Sequence, residues 1–117
     1  MIGKILLPIV ENFSQKGRTF NLEETMNLLK MYKVIYWSWG AKNPINYYDK
    51  VLILSVNGMY HKGKILIRLN GWDLYDVMFV TSQNKIKGER KDIFFDDLIT
   101  VIDNCIESNP KGFEMYT

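Results

Sequence analysis

The sequence predicts an α+β fold, a four- to five-stranded antiparallel β-meander packed on one face by N-terminal and C-terminal helices. Three observations predict it. Apolar residues recur at helical spacing near both ends of the chain and at a spacing of two through its middle. Asn57-Gly58 and Asn70-Gly71 each separate two apolar runs, and Asn-Gly favours a type I′ hairpin turn, whose two central residues need positive φ. The links between the middle runs are too short for a crossover, so neighbouring strands run antiparallel.

Taken in order, Pro8 at a first helical position, Ile9 and Phe13 four apart, and Gly17 as a stop predict a short first helix. A second helix should start at Asn21, with Glu24 three residues on as in a capping box and Leu22, Met26 and Leu29 as its apolar stripe, and run to about Tyr32. From Lys33 the pattern changes: Val34 to Trp39 is β-branched and aromatic, which predicts a first strand broken by Gly40. Ala41 to Lys50, with Asn43-Pro44, reads as a loop. Val51 to Val56 is the second strand, Ile65 to Leu69 the third after a bulge at Gly63, and Trp72 to Thr81 the fourth. Ser82-Gln83-Asn84 turns the chain into a weaker fifth strand between Lys85 and Phe94. A last helix should run from Phe95 to Ser108, with Phe95, Leu98, Ile102 and Cys105 or Ile106 at helical spacing. Asp96 and Asp97 suit its positive end, Asn109-Pro110 stops it, and the tail from Lys111 to Thr117 is expected to fray.

Composition narrows the function classes. A chain of 117 residues with 47% apolar content suits one globular domain. A net charge of +2 excludes a strongly basic nucleic-acid binder, although a local basic patch is compatible with it. The single cysteine, Cys105, forms no internal disulfide, which makes a reducing cytoplasm the default setting. The apolar start is cut short by Pro8 and Glu11 and reads as mature protein, and no window approaches the roughly 18 to 20 apolar residues a membrane span needs. With His61 as the one histidine, no metal site using two imidazoles can form, so neither metal nor cofactor is expected. No glycine loop that would cradle phosphate precedes a helix, and no base stands beside a nucleophile, so the chain reads as non-enzymatic; His61 and Asp76 are the least favoured, catalytic alternative.

If Asn70-Gly71 is a two-residue turn, Arg68 faces Asp73 and Ile65 faces Asp76. The core face then carries Ile65, Ile67, Leu69, Trp72, Leu74, Met78 and Val80. The other face carries Lys64, Leu66, Arg68, Asp73, Tyr75, Val77 and Phe79, a mixture fit either for a solvated sheet with an Arg68–Asp73 pair or for a partner. Asp76 falls on the core face, where a carboxylate needs a donor. Charge is segregated: Lys50, Lys62, Lys64 and Arg68, then Lys85, Lys87, Arg90 and Lys91, lie in the strands, whereas Asp92, Asp96, Asp97, Asp103 and Glu107 mark the last helix. Basic strands with Tyr47, Tyr48, Tyr60 and Tyr75 interleaved would serve a single-stranded nucleic acid, while lysines on edge strands also guard against aggregation. Trp37 and Trp39 fall on one side of the expected strand, as core filling or as binding anchors. The candidate contact residues are Lys62, Lys64, Arg68, Lys85 and Lys87 with Tyr75 nearby, joined by Trp37, Trp39 and His61.

Trp37-Ser38-Trp39-Gly40-Ala41, Val56-Asn57-Gly58, Lys62-Gly63, Leu69-Asn70-Gly71, Asp73-Leu74-Tyr75-Asp76-Val77, Asp97-Leu98-Ile99 and Val101-Ile102-Asp103 carry a resemblance over about Ile35 to Glu107. On these residues the chain resembles small single-domain α+β proteins of Bacteroidetes-type genomes and their phages, a set that brings no activity to transfer. The resemblance implies a context in which small mobile-element proteins bind and block a host macromolecule, as anti-CRISPR proteins do. The expected function is therefore an interaction module for a protein or ribonucleoprotein partner, with direct binding of single-stranded nucleic acid as the alternative.

Overall fold

The computed structural model describes residues 3–108; the Asn109-Pro110 stop and the tail read as frayed lie outside the described residues. Helices α1 (Leu6–Gln15), α2 (Leu22–Lys30) and α3 (Lys33–Ser38) precede five strands, β1 (Lys42–Tyr47), β2 (Val51–Asn57), β3 (Lys62–Leu69), β4 (Tyr75–Thr81) and β5 (Ile86–Ile93). The strands pair antiparallel in sequence order, so the expected α+β meander is present. A 3-10 turn at Phe95–Asp97 leads into α4 (Leu98–Asp103), which a π-helical turn at Asn104–Ser108 extends. Asn21 caps α2 as its position foretold, its Oδ1 accepting the Glu23 and Glu24 N–H groups at 3.0 and 3.2 Å. In the last helix Leu98, Ile102, Cys105 and Ile106 are buried as expected, but Phe95 turns to solvent.

The helices cover both faces of the sheet rather than one. Leu52, Leu54, Ile65, Ile67, Val77 and Phe79 pack with α2, α3 and α4. The residues alternating with them, Val51, Ile53, Leu66, Met78 and Val80, pack under Leu6, Val10 and Phe13 of α1. The unbroken run Val51 to Leu54 has the composition of a strand buried on both sides, where alternation with polar residues is lost.

Two further expectations are corrected. Val34 to Trp39, read as the first strand, is not one: Lys33–Ser38 is helix α3 and Trp39 is its C-cap. Tyr36 and Trp39, three apart, turn inward together with ring centroids 5.8 Å apart, while Trp37 points away. The core takes one indole and the short link to α2 keeps the chain helical, so packing overrides the β-propensity of these residues. The strand beside β2 is instead β1, within the segment read as a loop; it lies at the sheet edge, where Pro44 is tolerated, and a bulge between Lys42 and Ile45 accommodates Asn43 at φ 53°.

The hairpins also differ. The turn with positive φ at two successive residues is at Tyr48-Asp49 (φ 50° and 56°), in the three-residue β1–β2 link and closed by the Lys50 N–H on the Tyr47 carbonyl, not at either Asn-Gly pair. Asn57-Gly58 opens a longer turn closed by Gly58 N–H to the His61 carbonyl at 3.0 Å, and Asn70 pairs with Leu74, its N–H reaching the Leu74 carbonyl at 2.8 Å. Neither Gly58 nor Gly71 has positive φ; Gly40 and Gly63 do. The longer second turn sets Arg68 opposite Asp76 rather than Asp73, and Ile65 opposite Phe79. Leu66, Arg68, Asp76, Met78 and Val80 therefore share the α1 face, while Trp72 stands exposed in the turn.

Candidate interaction surface

The corrected register separates the candidate residues into two groups. Arg68 belongs to a buried network. Its Nε donates to Asp76 Oδ2 at 2.8 Å, its Nη1 to the Phe13 carbonyl at 2.8 Å, and its guanidinium lies 4.1 Å from the centre of the Phe13 ring. Asp76 Oδ1 accepts the Asn70 side-chain amide and the Asp92 N–H, both at 3.0 Å. The carboxylate that needed a donor on the core side thus has several, and neither partner is offered to solvent. Asp73 instead joins Arg18 in an exposed pair at 2.5 Å. Tyr75 is likewise structural: its hydroxyl hydrogen-bonds Thr25 Oγ1 at 2.8 Å and its ring meets Phe20 edge-on, fastening α2 to the sheet.

The lysines gather at the other end of the sheet. Lys42, Ser55, Lys64, Val80 and Ile86 stand opposite one another across all five strands, and cross-strand partners share a face. That face is the one α1 covers further along, but in this row Lys42 and Ile86 are exposed and Lys64 and Ser55 half-buried. Lys64 Nζ donates to Ser55 Oγ at 2.8 Å, which holds its charge over the row. Lys62 and Lys85 lie exposed at the adjoining strand ends, with Met59 exposed in the turn between β2 and β3. Lys87 is drawn inward, its Nζ donating to the Tyr60 carbonyl at 2.5 Å, and burial lowers its pKa.

His61 supports this end from within. It is buried, edge-on to Phe79 at 5.5 Å, and its Nε2–H donates to the Lys64 carbonyl at 3.1 Å. Burial lowers its pKa to about 4, the Lys87 charge adding to the effect and the Lys64 hydrogen bond opposing it. Trp39 is also interior, its Nε1–H donating to Asp103 Oδ1 at 3.0 Å, whereas Trp37 is exposed. Cys105 is buried with its pKa raised by burial, which the Arg90 charge opposes, and Arg90 Nη1 donates to its Sγ at 3.6 Å.

Of the sequence candidates, the fold brings together Lys62, Lys64, Lys85 and Lys87 with His61 beneath them. It separates from them Arg68 and Trp39, which are interior, Tyr75, which is half-buried against Phe20 and Thr25, and Trp37, which lies on α3. Lys42, Met59 and Ile86 complete the surface and were missed. Lys42 sat in a presumed loop, and Ile86 carried the apolar signal of a core residue. Among the described residues no three His, Cys, Asp or Glu side chains gather as metal ligands, and no helix is long and apolar enough to cross a membrane. No family model, curated protein or solved structure matches the chain.

Proposed function

We propose that the chain is a non-enzymatic interaction module whose lysine-rich sheet end docks on an acidic surface of a protein or ribonucleoprotein. The single observation carrying this reading is the row Lys42–Ser55–Lys64–Val80–Ile86, in which Lys42 and Ile86 are exposed at the two sheet edges and Lys64 is half-buried beside a buried Val80, with Lys62 and Lys85 exposed at the adjoining strand ends. Such a mixture steers an anionic partner and leaves apolar area to desolvate on contact. Its specific form is an inhibitor that blocks a host macromolecule such as a defence nuclease, the context implied by the resemblance above.

A protein surface suits this end better than a single-stranded nucleic acid. Stacking requires aromatic rings beside the cations. Only Tyr60 of the four named tyrosines stands at the lysine end, exposed in the β2–β3 turn beside Lys87; Tyr47, Tyr48 and Tyr75 lie at the opposite ends of their strands from the lysine row, and Tyr75 is hydrogen-bonded to Thr25, so the cations have one ring beside them and not a run of stacking platforms. A catalytic role for Asp76 or His61 is the weakest reading, because Asp76 is held by Arg68, Asn70 and Asp92 and His61 is packed on Phe79.

The test is side-by-side affinity capture from host lysate with the wild-type chain and with Lys62→Glu/Lys64→Glu/Lys85→Glu. The reversed chain should lose the partner while melting close to wild type. Capture at wild-type strength would leave the lysines as a guard against aggregation. In parallel, salt-dependent binding of a single-stranded oligonucleotide, flattened by the same reversal, would transfer the surface to nucleic acid.

A further inference from the structure

The fold uses only part of the Arg68 guanidinium. Nε donates to Asp76 and Nη1 to the Phe13 carbonyl, but Nη2 donates no hydrogen bond among the described residues, although the side chain is only 5% exposed. The carboxylate beside it, Glu89, places Oε1 at 3.7 Å from Nη2 and at 3.7 Å from Lys91 Nζ, beyond hydrogen-bond reach of both. Buried N–H groups without an acceptor are costly, so this edge of the guanidinium suits an acceptor that the chain itself does not bring close enough.

Arg68 and Glu89 line a half-open hollow of about 70 Å³ between the C-terminal part of α1 and strands β3 to β5. One water needs roughly 10 to 15 Å³ of such space, so a group of a few heavy atoms fits. Phe13 and Met78 give it apolar walls, while Asn12 and Lys16 border it from α1 and its C-cap and Lys91 from β5. Arg68 is balanced by Asp76 behind it and Lys91 by Glu89, whereas Lys16 has no ion pair among the described residues. The hollow therefore carries one positive charge in excess.

We propose that this hollow binds a small monocarboxylate. Its oxygens accept from Arg68 Nη2 and from the Lys16 ammonium, and its short apolar end meets Phe13 and Met78. A planar carboxylate matches the flat edge of a guanidinium, and its single negative charge balances the excess of one. A phosphate dianion would bring a second negative charge in beside Glu89, which repels it. The hollow admits few heavy atoms, so binding is weak, with a dissociation constant in the millimolar range. It lies under α1, away from the lysine end, and forms a site distinct from that surface.

Titrating the full chain with acetate from about 1 to about 100 mM, at an ionic strength held constant with chloride, tests this over the range where so small a ligand binds. The NMR signals of the Arg68 Nε–H and the Asn12 side-chain amide should shift and saturate. Glu89→Gln removes the resident negative charge and should tighten acetate about threefold, and Lys16→Gln removes an attraction and should weaken it about threefold. Lys16 is exposed and Glu89 makes no hydrogen bond through its side chain among the described residues, so both variants should melt close to wild type. Shifts that never saturate, or that chloride alone reproduces, would leave the hollow to water and overturn the proposal. A Glu89→Gln chain that binds acetate more weakly than wild type, or inorganic phosphate bound more tightly than acetate, would overturn it as well. Reversing Lys62, Lys64 and Lys85 should leave acetate binding unchanged, which separates this site from the lysine end.

Discussion

Lys64 and Arg68 lie four residues apart on β3 and, by strand alternation, on the same face of the sheet, yet they occupy different environments. Arg68 lies under the C-terminal half of α1, where the Phe13 carbonyl and ring, Asp76 and, at 3.7 Å, Glu89 surround its guanidinium. Lys64 lies half-buried at the margin of the α1 cluster, beside the buried Val80, and its ammonium donates to the half-buried Ser55 hydroxyl. What separates a structural cation from one available to a partner is therefore the reach of α1 and not the strand pattern. Four predictions test that contrast.

The largest effect should come from breaking the buried side. Arg68→Leu strands the Asp76 carboxylate among groups arranged for an ion pair and should lower the unfolding free energy by about 3 to 5 kcal/mol in chemical denaturation. Replacing both partners, as Arg68→Met with Asp76→Leu, should recover much of that loss. A single variant as stable as the wild type would mean that α1 does not seal the network.

The lysine end has its own buried element, and pH reads it. With its folded pKa lowered to about 4, His61 stays neutral where an unfolded histidine, with a pKa near 6.5, takes up a proton. Above about pH 6.5 both states are neutral and nothing is lost; as pH falls toward 4 the unfolded state alone gains the proton, so stability drops by up to about 3 kcal/mol. Denaturation midpoints near neutral pH and near pH 4.5 should diverge in the wild type by more than in His61→Leu. An equal divergence in the two would place His61 in water.

Glycine substitutions distinguish the two longer turns. A Cβ on Gly58 would come within 2.0 Å of Ile106 Cγ2 and 3.1 Å of the Ile106 carbonyl, whereas one on Gly71 meets nothing within 4 Å. Gly58→Ala should destabilise by about 1 to 3 kcal/mol through overpacking against the last helix. Gly71→Ala should stay within about 0.5 kcal/mol of wild type. Equal tolerance in thermal melts would show that the last helix does not close over the β2–β3 turn.

The smallest effect is expected at the exposed lysines. Lys62→Glu and Lys85→Glu should each change stability by less than about 1 kcal/mol, because solvent screens charges at such positions. A larger loss in calorimetry would mean that these lysines hold the sheet end together and are not available for a partner.

Local chemistry was decided within a few residues and is legible in the sequence. Asn21 caps α2 because its side chain reaches the N–H groups two and three residues on, and Leu98, Ile102 and Cys105 form one stripe because a helix repeats every 3.6 residues. The meander followed from links too short to cross over, and the need of Asp76 for a donor followed from the cost of an unpaired buried carboxylate. The tertiary structure alone decided which donor, since Arg68 meets Asp76 only once the turn is lengthened to Leu74, and Asn-Gly is compatible with either turn. It also decided that residues 33 to 38 form a helix, that α1 crosses to the other face, and that Arg68 is fully buried while Lys64 is only half-buried. Each of these outcomes rests on contacts between residues distant in the chain, such as Trp39 with Asp103 and Phe13 with Arg68. Such contacts carry free energy only after the layers have assembled, so no local pattern announces them.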